Sequence, residues 1–422
     1  MTEMVNASRA RKKSMRSRGA LAALATVGLV AVSACGSSSS GGSPSAASTS
    51  SSTSSGSFTL SSPLTLGFLW EVKGEGAYGI DDYQDGALLA LQQINAAGGV
   101  GGQPVKDFRV ATDPTNLQST VASFLQAADK NPSVLLGMAA PSQVEAITSQ
   151  LDRAQIPLLA TTTADLQFAH GGQSGSDYLW PIGASDPETV SAGIDYLVNT
   201  LHLKKIGVMG TNESFGNAAV ASAKAALSAL GLKPYAVAQY SPTATDLTQQ
   251  VLDMKGADAV LDWGYPNPLA VQLKQFAQNG IDIPTMSGTG IEVAIQSNLV
   301  PKSELGNLYV NEPCNPNAPA SSAMESFVAA YKAKYGSVPT QNAAYSYDAV
   351  KVAVAAVEQA KSADPKAINA ALKTVSVQGA CSDYHADGAQ FLAHSAQITK
   401  YSSTAAPTVV KRITLAPTAD QS

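Results

Sequence analysis

Cysteine, histidine and charge are scarce in this chain of 422 residues, which has three Cys, four His and 14% charged residues. Three cysteines are too few for a scaffold held together by disulfides in place of a core. His170, His202, His385 and His394 show no metal-ligand spacing, so no metal site is assigned. Asp383-Tyr384-His385-Ala386-Asp387-Gly388 has some features of a calcium loop, but His394 stands where the closing acidic residue belongs; an Asp-Gly hairpin turn is the simpler reading. There is no Gly-x-Ser-x-Gly elbow, no His-Glu-x-x-His and no free cysteine beside a base. No catalytic residue is assigned, and the chain reads as a non-enzyme.

Basic runs are missing beyond the first 34 residues. That leader holds six of the 27 basic residues and one of the 32 acidic ones, leaving 21 basic against 31 acidic and a net charge of −10. Nucleic acid, whose binding rests on neutralising phosphate, is excluded as a partner. After Val32 no apolar run is long enough to cross a bilayer.

What is present begins at the N-terminus. Arg9, Arg11, Lys12, Lys13, Arg16 and Arg18 precede an apolar run, Ala20 to Val32, and then Val32-Ser33-Ala34-Cys35. A positive region, a short apolar region and small residues before a cleavage point make a secretory signal. The tetrapeptide resembles a bacterial lipobox, which implies that residues 1–34 are removed and Cys35 is lipidated. The run is short for a membrane-spanning helix, which needs about 20 residues. Gly36 to Ser57 is almost wholly Ser, Gly, Thr, Ala and Pro, too polar to offset its ordering entropy, so residues 35–62 read as a tether. With Cys35 used by the anchor, Cys314 and Cys381 remain. Outside the cytoplasm they form either a disulfide or two separate buried thiols.

From Leu64 onward short apolar runs alternate with stripes of 3.6-residue period. Strands are expected at 64–70, 108–112, 134–138, 157–161 and 178–182, with helices between them. A second series follows, with strands at 205–209, 236–240, 259–263, 285–287 and 308–310. Helices at 322–335, 343–361 and 365–373 and strands at 396–401 and 409–415 close the chain. Repeated strand–helix–strand units predict an α/β protein with two doubly wound parallel-sheet lobes.

Ligands of open α/β sheets bind at the carboxyl ends of strands, so the loops there hold the site candidates. Gly74-Glu75-Gly76-Ala77-Tyr78-Gly79 matches a dinucleotide fingerprint, but the next strand ends at Asp113, much further on than the usual spacing of about 20. No cofactor is assigned; the segment reads as a ligand loop flanked by Trp70 and Tyr78. Ala140-Pro141-Ser142 opens a helix and Thr161-Thr162-Thr163 follows a strand. Their hydroxyls and free N–H groups suit a carboxylate. In the second series Phe215, Trp263-Gly264-Tyr265 and the Ser287–Gly290 turn with Thr289 take the matching positions. The bland alternative for each aromatic is core packing, and for each hydroxyl a helix cap or polar loop.

Together, Tyr78-Gly79, Gly86-Ala87, Ile94-Asn95-Ala96-Ala97-Gly98-Gly99-Val100, Asp113-Pro114, the 137–163 segment, Ser214-Phe215-Gly216, Gly264-Tyr265 and Tyr347-Asp348-Ala349 resemble the branched-chain amino-acid (Leu/Ile/Val) binding proteins of ABC importers. The resemblance runs from Leu64 to about Ile413. It implies the type I periplasmic-binding fold, with two lobes joined by a three-crossover hinge near Ala184, Cys314 and Cys381. Lobe I would take 63–184 with 315–381, and lobe II 185–314 with 382–422. It also implies a monomer whose partners are a small-molecule ligand and an ABC permease, the loops at Pro141-Ser142 and Thr161–Thr163 holding the ligand's carboxylate and ammonium. Phe215 and Tyr265 would be pocket aromatics. Thr289 stands where amino-acid binders of the family carry a glutamate for the ammonium, and Pro141 where they carry a serine. Asp262, Glu213 and Glu71 are the acidic residues available as substitutes. The implied function is capture of an amino acid, amide or aromatic or carboxylic acid by lobe closure; a sensory binding protein or a secreted hydrolase are the rivals.

Overall fold

The alternating runs fold as their period dictates. The computed structural model describes residues 58–71, 80–113, 116–161 and 165–419. The leader with Cys35, the Gly74–Gly79 loop with Tyr78, and Thr162 and Thr163 lie outside the described residues.

The first sheet comprises β1 (Thr65–Glu71), β2 (Lys106–Thr112), β3 (Val134–Gly137), β4 (Leu158–Ala160) and β5 (Leu179–Pro181). Its order is β2-β1-β3-β4-β5 and every pairing is parallel. In β1, Leu66 to Glu71 are all buried, the continuous apolar reading of a strand covered on both faces. Leu66, Phe68 and Trp70 enter the core formed with α1 (Ile80–Ala96) and α10 (Gln341–Ala360). Leu69 and Val110 enter the opposite core, with α2 (Leu117–Ala128) and α3 (Pro141–Ala154). Full burial of a side chain such as Leu66 or Phe68 contributes about 1.5–3 kcal/mol. Close packing of α1 on α10 depends on Gly86, where a Cβ would stand 2.0 Å from the Ala343 carbonyl oxygen.

The second sheet contains β6 (Ile206–Thr211), β7 (Val237–Tyr240), β8 (Ala259–Trp263), β9 (Thr285–Ser287), β10 (Leu308–Glu312), β13 (Ser395–Lys400) and β14 (Thr408–Thr414), in the order β14-β13-β10-β9-β8-β6-β7. β6 to β10 are parallel, but β13 runs antiparallel to both β10 and β14. The expected parallel sheet thus carries an antiparallel edge: a short loop joins β13 to β14, and only an antiparallel pair can be closed that way. β11 (Ser376–Gln378) and β12 (Asp383–His385) form a separate antiparallel pair. The Asp387-Gly388 turn follows β12; Asp387 Oδ1 accepts from Ala389 N and Phe391 N at 2.9 Å each.

Two elements differ from the sequence reading. Ser287–Gly290 is not a free turn: Thr289 opens a helix, α8 (Thr289–Gln296). The stretch between the two strand series, for which no element was given above, is α4 (Asp186–Asp195) followed by a π-helical turn, Tyr196–Thr200. At the start of the described chain, Leu60 is buried and its N–H donates to the Gly101 carbonyl at 3.1 Å, inside the span expected as tether.

The chain passes between the sheets three times. It leaves the first after β5. It returns after β10 to α9 (Ser322–Tyr335), α10 and α11 (Pro365–Leu372), whose apolar residues join the first core, and it leaves again after β11. A disulfide joins Cys314 to Cys381 with Cα atoms 5.0 Å apart, so the second and third passages are covalently tied. Ala184 pairs with Ala393 in a parallel bridge, which brings the first beside the third.

Candidate ligand-binding site

At the carboxyl edge of the first sheet, β1 ends in Glu71 and β3 ends in Gly137. Gly137 has φ +125° and Met138 φ 59°, so the chain turns sharply through a region a methionine adopts only when its surroundings impose it. A Cβ at Gly137 would stand 2.0 Å from the Leu69 carbonyl oxygen. The turn delivers Ala139 and Ala140 to the head of α3, whose N-cap, Ala140, has no side chain to cap it. The cap comes from another strand: Glu71 Oε1 accepts from Ala139 N at 2.8 Å and from Ala140 N at 2.9 Å. Ser142 is half-buried in the first turn of α3, after Pro141, and does not serve as its N-cap.

Thr161 follows β4, is buried, and donates its N–H to the Gly137 carbonyl at 3.0 Å. The loops after β1, β3 and β4 thus share one edge. Between them is a cup of about 10 Å³, lined among others by Leu69, Trp70, Glu71, Tyr83, Met138 and Thr161. The Tyr83 hydroxyl is pushed up, by burial and then by the Glu71 charge. Trp70 is only 7% exposed. Its ring stacks on Phe68 with centroids 4.7 Å apart and Arg109 lies over it at 5.3 Å, so most of Trp70 is core and only part faces the cup.

At the matching edge of the second sheet, Glu213 caps α5 (Ser214–Ala229). It accepts from Phe215 N at 2.9 Å, from Gly216 N at 3.1 Å, and from the Thr211 hydroxyl. Tyr265 is the N-cap of α7 (Pro266–Gln278), and its ring centroid lies 5.7 Å from that of Phe215. The two aromatics singled out in the sequence are therefore brought together, both half-buried. Glu145 on α3 feels the second sheet's loops: burial foremost, and the charges of Asp165 and Glu213, push its carboxyl up against a hydrogen bond from Gln167.

Of the acidic substitutes, Asp262 is committed elsewhere. It is fully buried, accepts from the Tyr240 hydroxyl at 2.6 Å, and is pushed up to about 7 by burial against that bond and one from Trp263. Thr289 takes the first position of α8.

Sequence reasoning missed a buried acidic pair. Glu292 on α8 and Glu312 at the end of β10 are both almost wholly buried and hydrogen-bonded to each other. Asn317 Nδ2 and Gln296 Nε2 donate to Glu292 at 3.2 Å each, and Asn315 Nδ2 donates to Glu312 at 2.8 Å. Burial foremost raises both carboxyls, so the pair holds a proton between them that a free carboxylate pair would lose. The available signal was a glutamate in the apolar run Ile291-Glu292-Val293-Ala294.

Two sheets, each offering aromatic and polar loops at its carboxyl edge and joined by three strapped passages, define a two-part α/β binder of small ligands. The chain belongs to the periplasmic binding protein family, which matches residues 63–406, with the type I fold. It is 26% identical over 214 residues to a protein of Pseudomonas aeruginosa named amino acid binding protein, a match covering 50% of this chain and 56% of that one. It is 23% identical to Leu/Ile/Val-binding protein homolog 7 of Brucella suis, over 76% of this chain and 84% of that one. Among solved structures, the branched-chain amino acid transporter substrate-binding protein LivJ of Streptococcus pneumoniae, in complex with isoleucine, superposes with a TM-score of 0.72 at 23% identity, covering 84% of this chain and 100% of that one. A solute-binding protein of R. palustris in complex with 4-hydroxybenzoate gives 0.70 at 15% identity, over 86% and 98%. Among the described residues no helix is long and apolar enough to cross a membrane.

Proposed function

We propose that this chain is an exported solute-binding lipoprotein, anchored through Cys35 to the outer face of the cytoplasmic membrane, that captures a small organic solute and delivers it to an ABC permease. Lobe I is residues 63–184 with 315–381, lobe II 185–314 with 382–422, and the protein works as a monomer. The ligand lies between the carboxyl edges of the two sheets. Trp70, Tyr78, Ala140 to Ser142 and Thr161 to Thr163 contribute from lobe I, Phe215, Tyr265 and Thr289 from lobe II. Hinge closure at the three passages buries it.

The observation that carries the reading is the pairing of Phe215 with Tyr265 at the strand-end loops of the second sheet, in a chain of this family. Relatives named for amino acids, and structures holding isoleucine or 4-hydroxybenzoate, support a small organic solute as ligand. The test is thermal denaturation with a panel of amino acids, amides, amines and aromatic acids, followed by chromatography of each solute after incubation. A ligand at 100 times its Kd stabilises by about 2.7 kcal/mol. Stabilisation without chemical change of the solute is expected; turnover would favour a hydrolase.

A further inference from the structure

The N–H pair at the head of α3 is the natural anion cradle of the first sheet's edge, and the chain fills it with its own carboxylate, Glu71. We propose that Glu71 sets the specificity of the cleft, taking the place of a ligand carboxylate so that the solute enters the lobe I cup with a cationic ammonium head. The inference rests on the capture reading above and names the ligand class for that same site.

Two observations lead to it. The cup beside Glu71, about 10 Å³, has room for one water-sized group, which is the size of an ammonium. Its lining includes Glu71, Tyr83 and Thr161, residues whose side-chain oxygens accept hydrogen bonds. An ammonium has three donors to share between such acceptors. A ligand carboxylate would meet Glu71 as a like charge, with the N–H groups already taken.

The experiment is a thermal-shift and calorimetric screen of matched triplets that share a tail and differ in the head: benzylamine, benzamide and benzoate, then butylamine, butyramide and butyrate. The amines are expected to raise the melting temperature of the purified protein and the acids to leave it unchanged. Glu71→Gln should weaken amine binding by about tenfold or more, the cost of losing a hydrogen bond to a charged group. Should that variant fail to fold, Thr161→Val leaves the cap intact, because the Thr161 bond to Gly137 is made by its backbone N–H, and is expected to weaken amines selectively. Stabilisation by the acids and not the amines would overturn the inference while leaving solute capture standing. No response to any member of the triplets or of the wider solute panel would overturn solute capture and the inference with it.

Discussion

Asp348 accepts the backbone N–H of Cys381 at 2.7 Å, and by that bond α10 holds the third passage beside the disulfide. The same carboxylate accepts from Ala380 N at 2.8 Å and from the Tyr384 hydroxyl at 3.0 Å, all of it buried. Burial pushes Asp348 up to about 6, against the bonds from Cys381 and Ala380. Asp348→Ala would leave three buried donors without an acceptor, each costing about 1–3 kcal/mol. We expect a loss of about 3 kcal/mol or more in urea unfolding; a loss under about 1 kcal/mol would show that the passage is held by other contacts.

The Cys314–Cys381 bridge spans 67 residues of sequence. A loop of that length restricts the unfolded chain by roughly 4 kcal/mol in the chain-entropy treatment. Reduction, or the double Cys→Ser variant, should lower the denaturation midpoint accordingly. Non-reduced peptide mass spectrometry gives the direct check, since two thiols that alkylate in the native protein would contradict the bridge.

Buried carboxyls give stability a predictable sign with pH. Asp262 titrates near 7 in the folded chain, raised by burial, against about 3.9 when unfolded. Between those values the folded state keeps a proton that the unfolded state has lost. The stabilisation is therefore complete below about pH 4, falls as pH rises, and levels off above about 7. Each such proton changes stability by about 1.4 kcal/mol per pH unit at most. The raised Glu292–Glu312 pair acts in the same direction. Asp262→Asn should thus gain on the native protein from pH 5 to pH 7 in urea unfolding; a variant that loses ground over that window would contradict the assignment.

The anchor has its own test. Cys35→Ala should release the protein into the medium or leave it as unprocessed precursor. Unchanged membrane retention together with an unchanged mature mass would remove lipidation from the account.

Much of the fold was legible because local pattern and burial agree. The β8 and β9 bounds, Ala259–Trp263 and Thr285–Ser287, and α9 at Ser322–Tyr335 match the periodic reading, since Gly, Asp and Pro punctuate those runs. α8 was hidden because its start, Ser-Gly-Thr-Gly, carries the residues of a turn. The β11–β12 pair was too short to show a period. At the site, Phe215 and Tyr265 could be singled out as aromatics at strand ends, but their meeting depends on how β6 and β8 lie side by side. Glu71 was visible only as one acidic residue among three. Its bond to the head of α3 joins residues 68 and 69 positions apart, which no local pattern encodes.

The central claim is capture by closure of two lobes about the strapped passages. Small-angle scattering of the purified protein, alone and saturated with the most stabilising solute of the thermal screen, tests it most directly. The account predicts a smaller radius of gyration in the saturated protein, whereas an unchanged radius at full occupancy would contradict hinge closure.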